Sequence, residues 1–268
     1  MDPFPAFLEL SRAGFVATIT LNRPARHNAW HPAMAAELEA MVGALAGDDG
    51  VRVIVITGAG PSFCAGLDMD YLREVREGLA LPVRERAPCE GDFAQKYSYL
   101  MGVPKPVVCA INGAALGIGL VLALFCDFRW ASAGARLSTM FSRRGLIPEH
   151  GMTWLLPRIV GLPQAMELMM TGRMVDANEA RQLGLVNDVI ADDGFREEVA
   201  RRARDLAENT SPRSNRITKR LTYVASMSSL SAAVQAFEAE LPGTLASEDL
   251  AEGVRHYLER RAPRFTGR

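Results

Sequence analysis

Two glycine-rich turns, ITGAGPSFCAGLD at 56–68 and AINGAALGIG at 110–119, carry the residue types that can put backbone amides to chemical use. Glycine has no Cβ, so at Gly66, Gly113, Gly117 and Gly119 the chain can turn sharply and a ligand can approach the peptide N–H groups. Each turn follows an apolar strand-type run, Val51 to Thr57 and Val107 to Ile111, and leads into a helix. The first N–H groups of a helix have no partner within it and lie at its positive end, so they can hold an anion. The two turns stand about fifty residues apart, and two such units can bring two helix N-termini to one site. The plainer alternative is close packing of strand on helix. Glu149, in IPEHG, precedes a helix expected to begin near His150; from its position alone it reads as a capping acid favoured by the helix dipole.

The elements that must position these groups follow from periodicity. Phe7 to Ser11 and Phe15 to Leu21 read as a hairpin, and Pro32 to Ala46 as a helix with Met34, Leu38, Met41, Val42 and Leu45 along one face. The polar, irregular segment 73–102 lies between the two turns and reads as a lid or binding loop. Short strands follow from Asp127 to Ile147. Beyond His150 the pattern is helical over 152–160, 163–171, 176–183, 193–208, 212–226, 230–246 and 248–261, interrupted by one strand at 185–190. No linker or solenoid repeat divides the chain.

Composition narrows the function. A net charge of −1 over 268 residues argues against a nucleic-acid surface. The apolar run Ala114 to Phe125 is shorter than the roughly 20 residues a bilayer needs. Gly117 and Gly119 begin a G-x-G, but no third glycine completes a dinucleotide fingerprint. The four cysteines, at 64, 89, 109 and 126, lack C-x-x-C spacing and read as reduced thiols, with no metal cluster. The opening MDPFPAFLEL resembles neither a signal nor a transit peptide, so a cytoplasmic location is expected.

Six segments in order resemble the enoyl-CoA hydratase/isomerase (crotonase) superfamily: LNRPARHNAW, SFCAGLDMDYL at 62–72, KPVVCAINGAALGIGLVLALFCDFRWAS at 105–132, GLIPEHGMTWLLPRIVG at 145–161, EARQLGLVNDVI at 179–190 and EGVRHYLERRAPRF at 252–265. The resemblance implies an α/β fold, a crotonase-type ββα spiral core over 1–200 with a C-terminal helical trimerisation region over 201–268. It implies a homotrimer or homohexamer acting on acyl-CoA thioesters, with coenzyme A as part of the substrate and no other cofactor. The family stabilises a thioester enolate with two backbone N–H groups, here by motif those of Leu67, after Ala65-Gly66, and Ile118, after Gly117.

The two glutamates of the family's hydratases fall at Val121 and Phe141, which cannot move a proton. Glu149 instead stands where other branches, the dienoyl-CoA isomerases among them, keep their working carboxylate, and becomes the expected acid/base. The expected activity is a double-bond shift in an enoyl-CoA. Hydration is the alternative, and a non-catalytic acyl-CoA binder is the alternative of another class. Arg23 and Arg26 are expected to meet CoA phosphates, and Ser62 to Asp68 to follow the nucleotide. Phe141 and His150 would line the acyl site, while Tyr257 and Arg260 would reach a neighbouring subunit's nucleotide. Asp68 stands within the binding stretch and also reads as holding the first turn of its helix.

Overall fold

The computed structural model describes residues 7–79 and 91–268; Cys89 and the middle of the expected lid segment lie outside them. The chain opens with the expected antiparallel hairpin, β1 (Leu8–Ala13) and β2 (Val16–Leu21). Side chains alternate across a strand. Val16 accordingly faces one core while Ala17, Ile19 and Leu21 face the other. Helix α1 (Pro32–Ala46) buries Met34, Leu38, Val42 and Leu45, the stripe its periodicity predicts except for the half-buried Met41.

From there one pattern recurs, a long strand followed by a short strand and a helix. β3 (Val53–Gly58), β4 (Ser62–Cys64) and α2 (Met69–Arg76) make the first such unit. The short α3 (Tyr99–Gly102) leads into the second, β5 (Val107–Ile111), β6 (Ala114–Leu116) and α4 (Ile118–Leu124). The third is β7 (Phe128–Ser132), β8 (Arg136–Ser138) and α5 (Met152–Val160). Then come α6 (Leu162–Thr171), β9 (Val175–Asp176), α7 (Ala177–Gln182) and β10 (Asp188–Ile190). The long strands join in the order β1-β2-β3-β5-β7-β10, parallel from β2 onward. The short ones form a second sheet, β4-β6-β8-β9. Successive turns of this spiral stack closely, which is what the glycines allow. A Cβ on Gly119 would lie 2.5 Å from the Cys64 carbonyl oxygen.

Four helices close the chain: α8 (Phe195–Asn209), α9 (Pro212–Ala225), α10 (Leu230–Leu245) and α11 (Glu248–Glu259). Phe195, Val199, Ala203 and Ala207, spaced by four, lay α8 on the outer face of the large sheet against Val53, Val55 and Val108. Residues 200 and 201, on either side of the expected boundary, both lie inside α8. α9 is tied to the core through Asp127, which accepts from the Tyr223 hydroxyl at 2.8 Å and pairs with Lys219 at 2.7 Å. No helix among the described residues is long and apolar enough to cross a membrane.

The sequence reading puts only a glycine turn between each buried strand and its helix, and here the structure differs. β4 and β6 intervene, each three residues long. Ala114–Leu116 is strand rather than the start of α4, because β6 pairs with both β4 and β8.

Candidate functional site

The loop Asn22–Trp30 sets the first turn. His27 and Asn28 both take left-handed backbone angles, φ 50° and 54°. Asn28 is fully buried; its side chain donates to the carbonyls of Ala59 and Ser62 and accepts from the Arg23 N–H at 2.8 Å. The Ala65 N–H then donates to His27, that of Trp30 to Gly66 at 2.7 Å, and that of Asp68 to Trp30 at 3.0 Å. Because Gly66 and Asp68 both turn toward Trp30, the intervening Leu67 N–H points the other way.

The second turn is built alike. Gly117, at φ 50°, donates to the Ser138 carbonyl, and its own carbonyl accepts from Val121 as the first bond of α4. That leaves the Ile118 N–H in the unpaired first turn of the helix. Among the described residues neither the Leu67 nor the Ile118 N–H has an acceptor. The glycines before them touch: a Cβ on Gly117 would lie 4.0 Å from the Gly66 Cα and 3.9 Å from the Phe141 ring.

Leu67 and Ile118 both line a cavity of about 90 Å³, together with Ala65, Gly66, Gly117 and Phe141 and with Glu149 on its wall. Two N–H donors converging near one carboxylate can hold an oxygen that becomes negative while the carboxylate moves a proton at a neighbouring carbon. Glu149 does not cap α5, whose first residues receive no side-chain hydrogen bond; Gly151 is the cap, and only the backbone carbonyl of Glu149 accepts, from Met152. The capping reading of Glu149 is thus overturned. Burial raises the Glu149 pKa above the ordinary range, and the Lys96 ammonium partly opposes this.

His150 adjoins, with Nε2 3.5 Å from Glu149 and its ring edge-on to Tyr97 at 5.1 Å. Burial, aided by Lys96, pushes the imidazole down to about 4. Its ring therefore stands neutral beside the carboxylate at pH 7. His150 opens onto a second cavity, of about 340 Å³, shared with Lys96, Phe125 and Trp154. Val121 is fully buried within α4 and Phe141 nearly so.

The remaining expected residues lie elsewhere. Asp68 caps α2 by accepting from the Asp70 N–H, and pairs with Arg23 at 2.9 Å. Arg23 also donates to the Ala29 carbonyl, so its fork is committed within the loop. Arg26 is exposed and pairs with the exposed Asp70 at 2.6 Å. Tyr257 is 78% exposed on α11 and Arg260 ends that helix with φ 53°, both outside the cavity residues.

Sequence reading missed Arg144 and Met140, which line the first cavity, and Lys96 in the second. Only the left-handed backbone of Met140 and Tyr97 sets these segments apart, and sequence does not show that. Among the described residues no group of three His, Cys, Asp or Glu side chains could hold a metal ion.

Comparison with known proteins bears on the family and the fold. A family profile described as enoyl-CoA hydratase/isomerase matches residues 11–268. A Rhodobacter capsulatus protein named "Probable enoyl-CoA hydratase" is 39% identical over 94% of this chain and 95% of its own. The 1,2-epoxyphenylacetyl-CoA isomerase of Escherichia coli is 35% identical over 94% and 95%. A crystal structure from Geobacillus kaustophilus HTA426, "Enoyl-CoA Hydrates Subunit I", superposes with a TM-score of 0.86 at 35% identity, covering 98% of this chain and 99% of that one. The chain belongs to the enoyl-CoA hydratase/isomerase family and has its crotonase fold.

Proposed function

We propose that this enzyme shifts a double bond in an enoyl-CoA thioester. The thioester oxygen sits between the Leu67 and Ile118 amides, which stabilise the enolate as it forms. Glu149 takes a proton from the α-carbon and, as the carboxylic acid, returns it to the γ-carbon, so the same group serves both steps. The single observation that carries this reading is the cavity itself. Glu149, uncommitted to any cap, lines it with Leu67 and Ile118, and this supports the reading, while Val121 and Phe141 offer no second acid. A second reading, hydration with Glu149 acting on water, is favoured by the name of the 39%-identical Rhodobacter protein.

For the nucleotide, Arg26 is the residue left for a phosphate, since only an exposed carboxylate must be exchanged. Arg23 shapes the loop through Asp68. Arg26→Ala is expected to weaken CoA-thioester binding at low salt, and unchanged affinity by calorimetry would remove that assignment.

The deciding experiment is Glu149→Gln assayed on 3-enoyl-CoA by absorbance of the 2-enoyl product. Loss of an acid/base group costs about 10²–10⁴-fold in rate, and binding of the thioester should persist. Full activity in the variant would discard the mechanism. Isomerisation lost with hydration kept would move water activation to another group.

A further inference from the structure

The second cavity holds a chemical feature that the proton shuttle does not use. Its volume of about 340 Å³ falls within the range of small-molecule pockets. Its walls are largely apolar, with Phe93, Met101, Phe125, Trp154 and Met227, which suits a carbon chain. Consecutive residues line the two cavities, Glu149 the first and His150 the second, which puts the second cavity beside the reacting end of a thioester held at Leu67 and Ile118.

Into these walls the chain places one ammonium. Among the described residues lining the cavity, Lys96 is the only Lys or Arg, it is half-buried, and it has no carboxylate within ion-pair distance. Its placement is built rather than incidental. Ser98 Oγ donates to the Asp92 carbonyl and accepts from the Gln95 N–H at 3.0 Å, closing the loop around Lys96. Tyr97 holds a left-handed φ of 69°, a strained angle for a bulky residue, and its ring lies 5.6 Å from the Lys96 ammonium. The other titratable groups leave room for an anion. Asp92 is at the exposed rim, His150 is neutral, and Glu149, whose charge reaches Lys96, lines the first cavity and not the second.

Resting on the acyl-CoA reading above, we infer that Lys96 selects acyl groups that end in a carboxylate, which it pairs within the second cavity. Burying an ammonium in apolar surroundings is unfavourable unless a partner arrives. A substrate carboxylate supplies one, whereas a methyl end leaves the cation desolvated.

Binding of unreactive saturated thioesters separates this from the chemistry. Adipyl-CoA and hexanoyl-CoA, of equal chain length, are titrated calorimetrically into the wild-type protein, Lys96→Met and Lys96→Arg. The wild type is expected to prefer adipyl-CoA by about tenfold, Lys96→Met to lose that preference while still binding hexanoyl-CoA, and Lys96→Arg to keep most of it. Equal wild-type affinities, or a preference untouched in Lys96→Met, overturns the inference alone. Absence of binding by either thioester overturns the acyl-CoA reading with it.

Discussion

At the scale of single residues, the proposed chemistry turns on the charge state of Glu149. It must be ionised to take a proton, so kcat/KM should rise with pH through its pKa, and burial places that limb above the ordinary 4.5. The Lys96 ammonium draws the pKa down, so Lys96→Met should move the limb to still higher pH; a pH-rate profile of both proteins checks this. A limb that stays in place in Lys96→Met would show that the two groups do not interact. That Glu149, Leu67 and Ile118 line one cavity was legible in sequence because they sit in motifs fixed by glycines and by the family's order. The freedom of Glu149 from capping was not, since a carboxylate three residues before a helix looks the same in sequence whether or not it caps that helix. Lys96 was invisible for another reason. A lone lysine in an irregular polar segment has no periodicity, and only the loop closed by Ser98 aims it inward.

At the scale of elements, the site depends on how closely α4 lies on β4. A Cβ on Gly119 would fall 2.5 Å from the Cys64 carbonyl oxygen and 2.8 Å from its Cβ, so Gly119→Ala must push the helix away. About 1–3 kcal/mol of stability should be lost. Displacing the Ile118 donor should lower kcat by up to 10²–10³-fold. Gly43, inside α1 with nothing within 4 Å of an added Cβ, is the control. Gly43→Ala should leave kcat unchanged and stabilise by up to about 1 kcal/mol. Thermal melts and steady-state kinetics on both variants check the pair, and a harmless Gly119→Ala would mean that the close approach is not required. The helices were legible because an apolar stripe survives over ten or more residues. β4 and β6 were not, because three residues give no alternation to detect and their pairing is wholly long-range.

At the scale of the molecule, α10 leaves Leu230, Val234, Phe237, Leu241 and Leu245 exposed at helical spacing, and α11 adds Val254, Tyr257 and Leu258. An apolar stripe of this kind marks an interface, and we expect a homotrimer or homohexamer, with these helices at the contact. Light scattering at micromolar concentration should give three or six chains, and Phe237→Glu should lower that number; a wild-type monomer would contradict the assembly. Folding should also respond to pH through His150. Its folded pKa, about 4, lies below the ordinary 6.5, so the unfolded chain binds its proton first as pH falls. Stability from this group is complete above 6.5 and declines as pH drops toward 4. His150→Gln should flatten that part of the melting-temperature profile.

The most direct test of the single-carboxylate mechanism follows the proton. A 3-enoyl-CoA carrying deuterium at C2 is converted in ordinary water, and the 2-enoyl product is analysed by mass and by the position of its label. One shuttling carboxylate predicts that part of the deuterium removed from C2 reappears at C4. Complete loss of that deuterium to water, with the one hydrogen added at C4 drawn wholly from solvent, would contradict the account.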